Sequence, residues 1–503
     1  MPKSLDNIDP YVDRFTMSIG ENLQHTLDSS IKIFIYLMML FCLLTGCTSH
    51  DSTHPELTSL RISPNELKDY PSSNTLRTLI LEGDGTLSDQ SLGFRFPNLQ
   101  RLHIEFAPDV NTLPEDIALW TQIRDVRIYG TAIEKIPTLL GELPIQTLRI
   151  EHNPYLTEVA DLYGPLERIY IANNPSLNNI PNTIGQPETL HFVSLANNQL
   201  RSIPDSIGDY YHVRELNVAG NQLSSLPTTI SQLQNLQSLN VSNNPYESLP
   251  PELGTLSNLR SLTVHHAPNL KSLPTLSNPE SLAKLSILDC PNITEITEDI
   301  LLASSLIELK IQATGLTKLP SQLFSLPRLH AVKIRMNPNL TELPSDIGYN
   351  DTMRILSMDQ NNIQLIPEDL GQLSNLETLS VDENNITALP EMICALPRLE
   401  ELSISDNQIP QLCDNLASLQ RLRMLNINSN PIRALPESIG SLQKLEYINL
   451  WDVPLTIEPS ELYNLPNLQV LCLNPADHYP TPRIIRKLKK TLQSRVDILT
   501  TDG

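Results

Sequence analysis

The side chains best suited to chemistry in this 503-residue sequence fall into separate groups. His265 and His266 are adjacent imidazoles that could ligate a metal or carry a proton, but Asp289 is the one carboxylate expected near them, and Cys290 is expected to point inward. Asp359, Asp382, Glu383, Glu401 and Asp406 form an acidic series that could gather a cation or the Lys and Arg side chains of a partner. No Asp-x-Asp-x-Asp-Gly loop supplies ligands at close quarters, so partner binding is expected first, a plain solvated patch next and a calcium-like ion last. Cys42, Cys47, Cys290, Cys394, Cys413 and Cys472 include no C-x-x-C pair. Neither a disulfide framework nor a zinc site is expected; the thiols are read as buried or idle, with Cys394 to Cys413 the one pairing within reach. The motifs G-x-S-x-G, H-E-x-x-H and G-x-x-x-x-G-K do not occur. The chain is therefore expected to be no enzyme and to hold no cofactor and no metal.

Composition narrows the class of partner. With 35 basic and 57 acidic residues the net charge is −22, which disfavours nucleic acid and anionic membrane surfaces and points to a neutral or cationic protein partner. Aromatics make up only 5% of the chain while proline occurs 40 times. A core of many similar aliphatic layers suits those proportions better than one aromatic-centred globule.

The elements that position these residues come from a repeat. The pattern L-x-x-L-x-L-x-x-N-x-L starts at Leu76, Leu99, Ile123, Ile145, Leu166, Leu190, Val213, Leu236, Leu259, Leu282, Leu306, Leu329, Met353, Leu376, Leu399, Leu422, Leu445 and Leu468, every 21 to 24 residues. A degenerate coil from Leu57 precedes them. In Val213-x-x-Leu216-x-Val218 alternation turns Leu216 and Val218 inward and Glu215 and Asn217 outward from a short strand. One coil cannot bury its apolar face alone, so parallel coils must stack. The ninth position holds Asn153, Asn174, Asn198, Asn221, Asn244, Asn337, Asn361, Asn384, Asn407 and Asn430. There the chain leaves the strand, and an amide can both donate to and accept from the orphaned backbone groups. Prolines such as Pro227 in Leu226-Pro227-x-x-Ile230 then direct the chain along the far side in extended or short helical form.

Stacking places residues one repeat apart beside each other, about 4.8 Å from strand to strand. The outward columns begin with His103, Glu105, Arg127, Tyr129, Arg149, Glu151, His152 and Tyr170, a mixture favoured in binding hot spots. Small polar residues follow (Ser194, Asn217, Asn240), then His265 and His266, the basic Lys310, Lys333 and Arg335, the acidic series, and Trp451 with Asp452. These columns are the expected partner-binding surface, and reversing Asp382, Glu383 and Asp406 to lysine is expected to abolish capture.

The strings NNQLRSIPDSIG and NNITALPEMICALPRL resemble the leucine-rich-repeat superfamily, most closely its Ras-group subclass of scaffold proteins. Asp289-Cys290-Pro291-Asn292-Ile293 and Met336-Asn337-Pro338-Asn339-Leu340 look like the C-P-x-L repeats of plant resistance proteins. The resemblance spans residues 57–475 and implies an α/β repeat solenoid of about 18–19 coils, a horseshoe with a parallel β-sheet on its concave face and an irregular or short helical convex side. It implies a binding role without naming a ligand. The ladder position departs from the pattern at Ala267, Cys290, Thr314, Val453 and Ala476, which predicts a change of curvature between about Leu259 and Leu329. Beyond it, residues 476–503 read as a helical cap, with Ile484, Ile485, Leu488, Leu492 and Val496 spaced along a basic segment.

The N-terminus reads as an address. Ile31 to Leu44 is an apolar run around Lys32, far short of the ~20 residues needed to span a bilayer, and suits a signal-peptide core. Leu44-Thr45-Gly46-Cys47 directly after it resembles the bacterial lipobox, which implies a diacylglycerol on Cys47, residues 1–47 as signal peptide and 48–56 as a tether. Thr48 in place of Asp leans the resemblance toward an outer membrane. Residues 1–30 are long and acidic for a leader, which suggests initiation at Met17 or near Ile31. The expectation is a lipid-anchored envelope module of a bacterium that recognises a protein; the alternative is an intracellular or host-delivered scaffold or effector in signalling.

Overall fold

Each coil contributes one short strand because its apolar residues alternate there, and each strand pairs in parallel with the next. The computed structural model describes residues 57–473, 482–492 and 495–499; Cys47, the leader and the tether lie outside them. Among the described residues twenty strands form one sheet, in chain order from Ser59–Ile62 to Asp497–Leu499. The register is that of the repeat: Leu79 pairs with Leu102, Leu102 with Val126, and so on to Leu379 with Leu402 and Leu402 with Leu425. These inward residues are buried, each contributing about 1.5–3 kcal/mol when withdrawn from water.

The longest strands end on ladder positions that lack asparagine. Thr378–Ser380, Glu401–Ser403 and Met424–Asn426, each ahead of a ladder asparagine, have three residues. Lys284–Cys290 and Glu308–Thr314 have seven, and their pairing continues to Cys290 and Thr314 themselves. Where asparagine is present its amide takes over the backbone groups. Asn384 Nδ2 donates to the carbonyls of Met358 (2.8 Å), Val381 (3.1 Å) and Asp382 (3.0 Å), while its Oδ1 accepts from the Ile363 N–H at 3.0 Å. Asn221 repeats the arrangement with Leu195, Val218 and the Leu200 N–H. At the departures the substitutes are weaker: the Cys290 thiol donates to the Val264 carbonyl at 3.5 Å, and Thr314 leans on Asn337 of the next coil through Oγ1 at 2.6 Å.

A second column was not legible from the pattern. The residue before the ladder position is left-handed in coil after coil, with φ of 49° at Phe106, 59° at His152, 58° at Asn197, 50° at Ala313 and 53° at Glu383. This reversal turns the strand into the loop, and the sequence meets it largely with Asn, Asp, His and Gly. At Gly220 φ is 69° and a Cβ would fall 2.1 Å from Asn197 Oδ1, so any other residue would make that side chain move. The opposite side carries single 3₁₀ turns begun by proline, as at Thr228–Gln232 after Pro227, whose buried Ile230 closes the layer. The proline supplies the fixed φ and lacks an N–H that would be orphaned there anyway.

Two expectations are corrected. Cys394 and Cys413 are joined in a disulfide, Cα atoms 6.2 Å apart: the stacking of consecutive coils brings them together, an adjacency that spacing within a C-x-x-C unit cannot reveal. The C-terminal segment is also more than a helix. Pro482–Leu492 is helical, with Leu488 and Leu492 buried, and Asp497–Leu499 then adds a strand to the sheet beside Val470–Cys472. Arg495 fixes this return by donating to the Leu465 and Tyr463 carbonyls (2.6 and 2.7 Å).

Candidate recognition surface

The sheet's outward face is the candidate site, and its character changes along the solenoid. In the early coils rings and guanidinium groups are layered. Phe106 meets Tyr129 edge-on at 5.0 Å, and Tyr129 lies 4.8 Å from His152. Arg127 stands 5.0 Å from the Tyr129 ring and gives Nη1 to Glu105 at 2.9 Å, while His103 lies 3.4 Å from Asp125. Arg149 stacks 4.0 Å over Tyr170, whose ring is 4.6 Å from Phe192. The residues expected here do converge: His103, Glu105, Arg127, Tyr129, Arg149, His152 and Tyr170 form one tract. Phe106, Arg168 and Phe192 belong to it as well and were missed: Arg168 and Phe192 because the position before the first inward residue of a strand also faces out, Phe106 because it occupies the left-handed column after the strand. Register could have found the last two, since Arg168 pairs with Phe192. Phe106 is 59% exposed and held at positive φ, a conformation that costs a bulky residue about 1–2 kcal/mol.

Beside this tract runs a strip of small residues whose alanines are largely covered, 5% exposed at Ala172 and 8% at Ala196 and Ala219. Ala172, Ala196 and Ala219 occupy equivalent positions in consecutive coils. Ser194, Asn217 and Asn240 adjoin them, and Asn217 and Asn240 turn their Oδ1 atoms to the N–H groups of Ala219 and Ser242, both at 3.1 Å.

In the middle coils the two imidazoles separate. His265 Nε2 is 2.8 Å from Ser286 Oγ, and burial together with Lys310 lowers its pKa. His266 lies 3.3 Å from Asp289. They share no ligand geometry, and among the described residues no group of three or more His, Cys, Asp or Glu could hold a metal ion. Lys333 reaches Glu308 at 3.6 Å, and Arg335 reaches Asp359 at 2.9 Å.

The acidic series is not one exposed patch. Asp359 is 3% exposed. It accepts from Ser357 Oγ (2.7 Å), from Ser380 Oγ and from the Asp382 N–H (3.1 Å). Asp382 is half-buried and accepts from Ser403 Oγ (2.7 and 2.6 Å) and the Ser405 N–H (2.6 Å). Each carboxylate thus stitches its coil to the next, taking the serine hydroxyl and backbone N–H that the three-residue strands leave unpaired. Burial, joined by the neighbouring Asp359 charge, raises the Asp382 pKa to about 6 against the pull of the serine hydrogen bonds. A lysine at 382 would break this stitching, so its loss of capture would say nothing of an interface. Glu383 and Asp406 are exposed and free to be read by a partner, held at their sides by Gln360 and Asn428. Glu401 is half-buried, accepting from Thr378 Oγ1 at 3.3 Å; Trp451 is half-buried, its backbone N–H donating to Asn449 Oδ1 at 3.0 Å.

Comparison with known proteins agrees with this architecture. Models described as leucine-rich repeat region and leucine rich repeat match residues 345–431 and 188–246. A leucine-rich-repeat protein of Leptospira interrogans is 26% identical over 82% of this chain and 99% of its own, with a TM-score of 0.55. Similar in fold are the Arabidopsis receptor kinase HAESA, solved with the peptide hormone IDA and the co-receptor SERK1 (21% identity, 85% of this chain and 76% of that one, TM-score 0.54), and Drosophila Toll in its Spatzle complex (16%, 88% and 68%, TM-score 0.66). No curated protein sequence matches the chain.

Proposed function

Because the chain is a leucine-rich-repeat solenoid, we propose that it is a non-catalytic recognition module that takes a protein partner on the outward face of its sheet while tethered to a membrane through a lipid on Cys47. The observation that carries the reading is the tract from Phe106 to Phe192, where aromatic and guanidinium groups lie stacked on a rigid sheet beside a strip of small residues. Such side chains offer large contact area with little entropy left to lose, and the parallel strands hold them fixed. HAESA and Toll, solved with a peptide hormone and with Spatzle, supply precedents on the same fold.

Two features favour the exported, anchored form over an intracellular scaffold. The apolar run to Leu44 leads directly into Leu44-Thr45-Gly46-Cys47. The Cys394–Cys413 disulfide suits an oxidising compartment.

Lipid labelling in a bacterial host, with sequencing of the mature N-terminus, tests the anchor: label on the native chain and none on Cys47→Ala supports it, whereas an unlabelled, uncleaved native chain refutes it. For the face, Ala196→Trp raises a bulky ring from the strip. Capture of a partner should be lost with Ala196→Trp and kept with Tyr349→Ser on the far side; the reverse pattern refutes the assignment.

A further inference from the structure

Arg149 and Arg168 approach the same ring from consecutive coils. Arg149 lies 4.0 Å and Arg168 5.8 Å from the centroid of Tyr170. Arg168 also donates to the Tyr170 hydroxyl from Nε (3.1 Å) and Nη2 (2.7 Å) and stacks 4.8 Å over Phe192. Elsewhere on this face the chain answers its arginines with its own acids, Arg127 with Glu105 and Arg335 with Asp359. Here it does not. The place from which Glu105 serves Arg127 is held one coil later by Tyr129, in register, and among the described residues no carboxylate lies within ion-pair distance of Arg149 or Arg168. Two positive charges thus share one phenol in a chain of net charge −22. The hydroxyl oxygen accepts from Arg168, which leaves its own proton to donate.

We propose that Arg149, Arg168 and Tyr170 form a subsite for one carboxylate, the aspartate or glutamate side chain of an extended peptide segment, with an adjacent apolar side chain resting on Phe192. Planar guanidinium groups held by stacking are already oriented for an acid, and hydrogen bonds between charged partners are the strong ones. A polyanion is disfavoured because the net acidic chain repels it beyond this spot. The alanine strip gives the peptide backbone room to approach. This rests on the outward face being the recognition surface.

The test is selection of phage-displayed random short peptides on the purified full chain, followed by anisotropy titrations of the enriched peptides. Enriched sequences should carry Asp or Glu beside an apolar residue. Arg149→Ala, Arg168→Ala and Glu→Gln in the peptide should each weaken binding by about tenfold or more, without adding when combined. Circular dichroism confirms that the variants fold. Peptides lost on Ala196→Trp but indifferent to both arginine variants would overturn the subsite and leave the face assignment standing. Peptides indifferent to all three would overturn both, and a library yielding no binder would overturn the subsite.

Discussion

Replacing Asp382 with asparagine should stabilise this protein at neutral pH, although it removes a carboxylate that accepts hydrogen bonds. Burial pushes the Asp382 pKa up to about 6 from an ordinary 3.8, so the native state binds the proton more tightly than the unfolded chain. A raised carboxylate pKa means that ionisation opposes folding: the burden is complete above about pH 6, shrinks as pH falls through that value, and is gone below about 4. A shift of roughly two units corresponds to at most about 3 kcal/mol. Asparagine keeps an oxygen for the Ser405 N–H, and its amide can donate toward Asp359, which already accepts from the residue-382 N–H. Asn428, at the equivalent position in a later coil, shows that the amide is accommodated. Discounting rearranged serine hydrogen bonds, a net gain of about 1–2 kcal/mol is expected near pH 7.5, fading toward pH 5. Urea unfolding followed by circular dichroism at both pH values reads this as a higher midpoint for the variant at the upper pH alone. A lower midpoint for Asp382→Asn at both pH values would refute the reasoning, because it would show that the hydrogen bonds the carboxylate accepts outweigh the cost of burying its charge.

Asn384→Ala strips partners from the Met358, Val381 and Asp382 carbonyls and the Ile363 N–H. It should cost about 3 kcal/mol or more, while Asn385→Ala, on the exposed side, should cost about 0.5 or less, both read from urea midpoints. Cys394→Ser opens a link spanning 19 residues and should lower stability by about 3 kcal/mol; an unchanged midpoint under non-reducing conditions would show that the bond does not hold the coils. Ala313→Gly, at φ of 50°, should raise stability by about 1 kcal/mol in the same assay.

The repeat was legible because inward residues must match across every strand pair, and that demand fixes the register before any coordinate is known. The ladder asparagines were legible for the same reason: where strands end, backbone groups need an amide. What was hidden depended on neighbours in adjacent coils. Asp359 reads as a surface acid until Ser380 of the next coil is placed against it, and Cys394 reads as an idle thiol until Cys413 is stacked beside it. The final strand, Asp497–Leu499, carries no L-x-x-L signal and forms because Val470–Cys472 offers it an open edge. Within the recognition tract, Tyr129, Arg149 and Tyr170 stood out by type and spacing. Arg168 and Phe192 did not, since their position in the strand was not counted as outward.

Site-specific photocrosslinking tests the central claim most directly. A benzophenone amino acid placed at Phe192, on the sheet face, or at Tyr349, 71% exposed on the 3₁₀ side, is irradiated in cells that display the chain to its surroundings. The account predicts discrete protein adducts from position 192, reduced in the Arg149→Ala and Ala196→Trp backgrounds, and none from position 349. Adducts from 349 with none from 192 would contradict it.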